Sequence, residues 1–367
     1  MLMKTIDERG RSIGEMNVPT TDLRRSQTIV SAQTTCGIEV IEVTSYRYRA
    51  RIALQGATLL DWHPRDTNGQ EGENVVDGYR DVHELTSQNG VRNGILAPFT
   101  NRLVRGRFDF DGRTYRLLPI AEGENEVYHG FLRVRQFELR GTAFAGENVR
   151  LEFVHKTVSA KAPSYSYDLE VSVAYVFSVS GVELEIATTN SGGETVPYVA
   201  GWHPYFRLPG SSAIDDLTLQ VPSTFVVDTI DLIPQVTSDG EIKLQNSPTF
   251  HRPTRIGDHV LDCCFTQLIQ DEDGISRTIL TDPTSGTELS VWQERGHMHV
   301  YTGDTLARDR RRSIALEPVE DLTNAFNLPS RIKQVRLEPG DTRTFKCGFE
   351  YERGERRETE KGSLAGS

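Results

Sequence analysis

Tyr167-Asp168-Leu169-Glu170-Val171-Ser172-Val173-Ala174-Tyr175-Val176-Phe177 reads as one long β-strand, and a turn at Ser180-Gly181 sends it back through Val182-Glu183-Leu184-Glu185-Ile186. Large apolar side chains fall at every second position, with Asp168, Glu170, Ser172 and Ala174 between them. A period of two places one face of a strand against a core and the other toward water. The return strand repeats the pattern, Val182, Leu184 and Ile186 alternating with Glu183 and Glu185. Such antiparallel neighbours with one wet face are the unit from which the rest of the chain is built.

Working outward, Val149, Leu151 and Phe153 alternate with Arg150 and Glu152, and Tyr46, Tyr48, Ala50, Ile52 and Leu54 alternate with Arg47, Arg49 and Arg51. Arg107-Phe108-Asp109-Phe110 and Arg113-Thr114-Tyr115-Arg116-Leu117 flank Asp111-Gly112, the strongest short-range hairpin signal, because a type I′ turn needs positive φ at both central residues. Residues 66–88 are rich in glycine and charge and predict a long loop with one short helix. Further strands are predicted at 225–236, 241–244, 289–293, 298–301 and 313–317, and at 335–351 around Pro339-Gly340. Long helical periodicity and 20- to 50-residue repeats are both missing from the pattern. The fold class expected is all-β: one large twisted antiparallel β-sandwich with few short helices, forming a single domain over 29–351. Polar, aperiodic stretches at 1–28 and 352–367 are expected to be flexible tails.

The 367 residues carry 41 Lys and Arg against 52 Asp and Glu, a formal charge of −11. Nucleic acid and anionic membranes both select basic surfaces, so neither is expected as a partner. The one basic cluster, Arg308 with Arg310, Arg311 and Arg312, is diluted by Asp304 and Asp309 and reads as a solvated loop. Cys36, Cys263, Cys264 and Cys347 make no CxxC, and a vicinal Cys263-Cys264 bridge would be strained, so buried free thiols in a reducing compartment are expected. No stretch has the apolar core of a secretory signal or the length of a membrane span. These features together predict a soluble, cytoplasmic protein.

Chemistry concentrates in a few places. Pro197-Tyr198-Val199-Ala200-Gly201-Trp202-His203-Pro204-Tyr205-Phe206 sets one imidazole among large rings. Histidine exchanges protons near neutrality, and aromatic faces suit a flat, partly apolar ligand such as a pyranose, so Trp202 and Tyr205 are candidate stacking residues. In Ser313-Ile314-Ala315-Leu316-Glu317-Pro318, alternation sends Ile314 and Leu316 to one face and Ala315 with Glu317 to the other, leaving space over the carboxylate. Asp262 lies among apolar residues and needs hydrogen-bond donors or a ligand. His297 and His299 share one strand face, but no third metal ligand is evident nearby, and no metal is expected. GxxxxGK[ST], GxSxG and HExxH are all missing, which removes the common nucleotide, serine-hydrolase and zinc-protease signatures.

Taken in order, Asn101-Arg102, His129-Gly130, Trp202-His203-Pro204-Tyr205-Phe206, Asp262 and Leu316-Glu317-Pro318 make the chain resemble the aldose 1-epimerases, the galactose mutarotase family, over about residues 35 to 351. The resemblance implies a galactose mutarotase-like supersandwich with a sugar bound across one concave face and no cofactor. It implies Glu317 as general base, His203 as general acid and His129 as a second active-site histidine. Arg102 and Asp262, with Asn101 beside them, would contact sugar hydroxyls. Two departures bear on which sugar: His129-Gly130-Phe131 stands where His-Gly-Gly is common, and Asp262-Cys263 where Asp-His is common. The run His129-Gly130-Phe131-Leu132-Arg133 is also similar to the His-Gly-Phe-Ala-Arg of hexose-6-phosphate 1-epimerases.

Mutarotation asks for such a pair. One group removes the proton of the C1 hydroxyl while another protonates the ring oxygen, and the roles reverse after rotation about C1–C2. The expected substrate is a small-molecule aldohexose, acted on by a monomer or a dimer. A hexose-6-phosphate 1-epimerase would instead need two or more cations near the far end of the sugar, for which Arg92, Arg133, Arg135 and the cluster at Arg308 are available. A non-catalytic sugar-binding module would keep the aromatic residues without needing the acid–base pair.

Overall fold

The strand Leu169–Phe177 pairs antiparallel with Gly181–Asn190 on one side and Asn148–Thr157 on the other. Leu169, Val171, Val173, Tyr175 and Phe177 are all buried, as the alternation requires. Ala174 is buried as well, so the outer face of this strand is partly covered. These strands belong to a nine-stranded sheet that continues through Thr342–Glu352, Glu288–Gln293 and Ser276–Thr281 to Thr218–Gln220 and Thr254–Arg255. Its other edge is Glu138–Ala145. The structure is a computed structural model and describes residues 28–121, 124–158 and 165–354. The tails expected at 1–28 and 352–367 therefore fall almost wholly outside the described residues.

A second, eight-stranded sheet runs in the order Leu244–Asn246, Phe225–Val227, Asp262–Thr266, His297–Tyr301, Ile314–Val319, Gly201–Trp202 and Ile95–Leu96, with Tyr205–Phe206 also paired to Ile314–Val319. The N-terminal four strands, from Thr28–Thr35 to Thr58–Pro64, form a third sheet. One core joins all three. The ring of Phe349, from the nine-stranded sheet, meets Trp202 and Phe206 of the eight-stranded sheet at 6.5 and 5.2 Å, and Trp62 of the four-stranded sheet at 5.5 Å. Every named strand pairing is antiparallel, so the all-β sandwich read from the sequence is the fold.

Local signals explain the connections. Asp111 and Gly112 have φ of 47° and 76°, the two positive values the type I′ hairpin demands, and Arg107–Phe110 pairs with Arg113–Arg116 around them. The loop over 66–88 contains one short α-helix, Val82–Ser87, capped by the Asp81 side chain, which accepts a hydrogen bond from the Glu84 N–H at 2.9 Å. All four cysteines are free, but only Cys264 and Cys347 are buried; Cys263 is half-buried and Cys36, beside the Gly37 turn, is exposed. Among the described residues no helix is long and apolar enough to cross a membrane.

Candidate active site

Three neighbouring strands of the eight-stranded sheet present the acidic side of the site. Their register sets Asp262 opposite Tyr301 and Tyr301 opposite Ala315, and in the next row Cys264 opposite His299 and His299 opposite Glu317. Residues opposite one another point to the same face. Ile314 and Leu316 enter the main core from the reverse face. Glu317 is only 2% exposed, so it is a buried carboxyl rather than an ordinary glutamate at a strand end.

The aromatic segment supplies the opposing wall and is pinned by Asn93. The Asn93 side chain donates to Leu59 O at 2.8 Å and accepts from the Tyr205 N–H at 2.9 Å. Its N–H donates to His203 O, also at 2.9 Å. The His203 ring lies against Tyr205, centroids 5.1 Å apart and planes 21° apart. The Arg92 guanidinium covers Tyr205, 5.0 Å from its centroid.

Trp202, expected as a stacking residue, is turned the other way. Its ring is fully buried against Phe206 and Phe349, and its indole N–H donates to Asn93 O at 3.3 Å. The cause is the same alternation that built the strands. With His203 and Tyr205 facing the cleft, Trp202 and Phe206 must face the core.

Asn101 and His129 arrive together through unusual backbone. Both have positive φ, 50° and 58°. The His129 N–H donates to Asn101 O at 2.8 Å, and the Asn101 N–H donates to His129 Nδ1 at 3.3 Å. Gly130 follows with φ of 62°, and a Cβ there would lie 2.1 Å from Ala97 O. The His-Gly pair is therefore a steric requirement of this crossing. Asn101 Oδ1 accepts from the Arg102 N–H at 2.8 Å and from its guanidinium at 3.3 Å. Arg102 Nε also donates to Glu126 at 2.9 Å.

Asn101, Arg102, His129, His203, Tyr205, Asp262 and Glu317 all line one cavity of about 220 Å³, together with Tyr128, His299 and Tyr301. On its floor His203 Nε2 is 3.3 Å from Glu317 Oε1. The rings of His129 and His203 meet at 5.0 Å. Glu317 Oε2 is buried and finds no hydrogen-bond partner among the described residues. His299 was not singled out as a sugar-site residue in the sequence, yet its Nε2 lies 2.8 Å from Asp262 Oδ1 inside this cavity. The sequence shows its parity with His297, whereas its register against Glu317 emerges only in the fold.

Burial dominates the titration of the floor. It pushes Glu317 up to about 8, against the opposing pull of His299. Burial, and then the charge of His299, pushes His203 down to about 3. His129 is held well below its usual range by burial, then by His203 and the nearby arginines. With Nδ1 accepting from Asn101, neutral His129 carries its proton on Nε2. His299 moves the other way. Burial alone would lower it, but the Glu317 charge and the Asp262 hydrogen bond raise it well above the ordinary histidine value. Asp262 is correspondingly held low, its burial outweighed by the His299 hydrogen bond and charge and by Arg102.

Ligand atoms of His129, His203 and Glu317 lie within 4.8 Å of one another. His297 and His299 do not converge, since His297 Nδ1 meets Thr266 Oγ1 at 2.9 Å while His299 turns to Asp262. Most of the arginines available for a phosphate are occupied elsewhere, and Arg135 and Arg312 are exposed and do not line the cavity. Arg92 pairs with Asp77, Arg133 with Glu124 at 2.6 Å, Arg308 with Asp77 and Glu84, and Arg311 with Asp215 and Asp304. Arg310 donates to Leu306 O, and Arg135 lies over the Phe131 ring.

The fold agrees with what the chain resembles among known proteins. The family profile described as Aldose 1-epimerase matches residues 39–350. This chain belongs to the aldose 1-epimerase family. It is 24% identical over 338 residues to the galactose mutarotase of Bos taurus, covering 86% of this chain and 94% of that one. It is 26% identical over 253 residues to the uncharacterised protein YihR of Escherichia coli (strain K12), covering 67% and 74%. The crystal structure of a GalM/aldose epimerase homologue from C. elegans superposes with a TM-score of 0.71 at 18% identity, covering 89% of this chain and all of that one.

Proposed function

We propose that this protein is an aldose 1-epimerase that interconverts the α and β anomers of an unphosphorylated aldohexose, with Glu317 and His203 as its acid–base pair. One observation carries the reading. His203 Nε2 and Glu317 Oε1 lie 3.3 Å apart, both buried, on the floor of a cavity lined by Asn101, Arg102 and Asp262. With one group's range pushed to about 3 and the other's to about 8, the pair holds a single proton across the neutral range. The shared proton rests on Glu317 and first passes to His203 across the 3.3 Å contact; Glu317 then accepts the proton of the C1 hydroxyl as His203 delivers its own to the ring oxygen. The bond from C1 to the ring oxygen breaks, and C1 becomes an aldehyde. Rotation about C1–C2 and the reverse transfers close the other anomer. Every proton leaving the pair is matched by one arriving, so the buried floor keeps the same charge from start to finish. Arg102, Asn101 and Asp262 orient the ring hydroxyls so that C1 sits between the two groups.

The absence of a phosphate from the substrate is supported by the lining. Arg102 is the one arginine among the described cavity residues, and it is shared with Glu126 and Asn101. The Asp262 carboxylate faces the same space and disfavours a dianion. Anomer exchange followed by polarimetry on glucose, galactose and glucose 6-phosphate tests the proposal. Rate enhancement is expected on a free hexose, with a loss of ~10²–10⁴-fold in Glu317→Gln. Faster exchange of the 6-phosphate would replace the substrate, and sugar binding without any rate enhancement would replace the enzyme with a binding module.

A further inference from the structure

We infer that His299 is a positioning cation of this cleft: held by Asp262 on one side and set opposite Glu317 on the other, its positive charge sets the pH range over which the Glu317–His203 pair keeps its shared proton. The inference rests on the acid–base reading above and adds a residue to it. Its geometry is a cross-strand row. His299 is buried in the middle strand, Glu317 stands opposite it on Ile314–Val319, and Cys264 stands opposite it on Asp262–Thr266. Asp262, two residues before Cys264, reaches His299 Nε2 at 2.8 Å. A half-buried carboxylate at that distance favours the imidazolium.

The groups that face His299 are few and can be named. Asp262 and Cys264 come from one neighbouring strand, and Glu317 from the other. Tyr301 lies along its own strand, and His297 precedes it at the far end of the same face. His129, His203, Tyr205 and Arg102 close the cavity from the opposite wall. Asp262 and Glu317 are the two carboxyls of this set, and burial lowers both His129 and His203, with His203 adding to it at His129 and His299 adding to it at His203. The charge of His299 consequently acts on Glu317 and His203 in the same direction, lowering the proton affinity of both. It also stands beside the negative charge that forms on Glu317 whenever the shared proton moves to His203 or to the sugar, where a pre-oriented cation has its largest effect.

Two measurements test this. The first is the pH profile of kcat/KM, which reports the free enzyme, in wild type, His299→Gln and His299→Lys. Removing the positive charge raises the proton affinity of the pair, so in His299→Gln the alkaline limb moves upward by about one pH unit, a tenfold change in proton affinity. His299→Lys keeps a cation and holds the limb near its wild-type position. The second measurement needs no folded variant. The imidazole nitrogens of 15N-histidine-labelled wild-type protein report the charge state of His299 directly, and an imidazolium persisting through neutral pH is expected. A neutral His299 ring at neutral pH would overturn the inference, as would a folded His299→Gln whose profile superimposes on wild type. Failure of the acid–base reading looks different: Glu317→Gln would then retain mutarotation whatever the charge of His299.

Discussion

Nε2 of His203 approaches Oε1 of Glu317 to 3.3 Å, although Glu317 lies on the strand Ile314–Val319 and His203 in the link between Gly201–Trp202 and Tyr205–Phe206. At that separation their titrations belong to the pair. The first proton binds near pH 8 and the second near pH 3, with burial as the leading cause of both displacements. Between those limits the cleft contains one mobile proton and two groups able to take it, which is what an uncatalysed hemiacetal lacks.

Glu317→Gln separates activity from stability. The folded carboxyl keeps its proton to about pH 8, while a carboxyl in the unfolded chain releases it near 4.5. The unfolded state therefore binds fewer protons between these values, and stability falls as pH rises through that window. Glutamine has no proton to lose. The variant is expected to match wild type in melting temperature near pH 4 and to exceed it near pH 9, while mutarotation drops ~10²–10⁴-fold. Thermal melts at the two pH values check it, and an equal difference at both would show that Glu317 is already ionised in the fold.

Much of this was readable in the residues and some was not. Period-two alternation from Tyr167 to Phe177 and the Asp111-Gly112 turn are local, and the structure follows both. The alternation that set Glu317 apart from Leu316 also separates Trp202 from His203, and applying it there would have removed Trp202 from the cleft. Register is different in kind. That His299 lies opposite Glu317 depends on how two strands slide past one another, which neither strand encodes alone. The occupied arginines are a second example. Arg92 and Arg133 look free in sequence, because Asp77 and Glu124 meet them only once the intervening loops are folded.

Trp202→Phe is expected to cost stability and leave sugar binding nearly unchanged. The indole packs on Phe349 and donates to Asn93 O, so shortening it opens a void and orphans a carbonyl. A loss of about 1–3 kcal/mol is expected, below full truncation of a buried aromatic. Urea unfolding gives the stability, and KM for the preferred hexose gives the binding. A rise in KM of tenfold or more with unchanged stability would return Trp202 to the sugar.

Gly130→Ala should damage both stability and turnover. A Cβ at this position, with φ of 62°, would lie 2.1 Å from Ala97 O, so the loop that carries His129 must move. An alanine forced into this positive-φ site is expected to destabilise by more than about 1 kcal/mol. Because the Asn101 and His129 backbones hold each other, the shift is passed to both. A lowered melting temperature accompanied by a fall in kcat/KM checks this, and a fully active, equally stable variant would remove the steric account of the His-Gly pair.

His297 offers the contrast to His299, two residues away on the same strand. Burial, with the Arg331 charge adding to it, holds His297 neutral down to about pH 3, whereas an unfolded histidine takes up a proton near 6.5. The unfolded state therefore binds more protons across that interval, and the contribution of His297 to stability is lost as pH falls from 6.5 toward 3. His203 titrates in the same sense, but replacing it would also remove a proposed catalytic group. His297 bonds Thr266 Oγ1 at 2.9 Å and does not line the catalytic cavity. In His297→Gln an amide can keep that hydrogen bond without titrating, so the acid side of the stability curve should flatten by up to about 1.4 kcal/mol per pH unit, the effect of one proton. Mutarotation at neutral pH should stay within about twofold of wild type. Urea melts between about pH 4 and 7 read the slope, and a slope unchanged from wild type would mean that His297 is already charged, or solvated, in the folded protein.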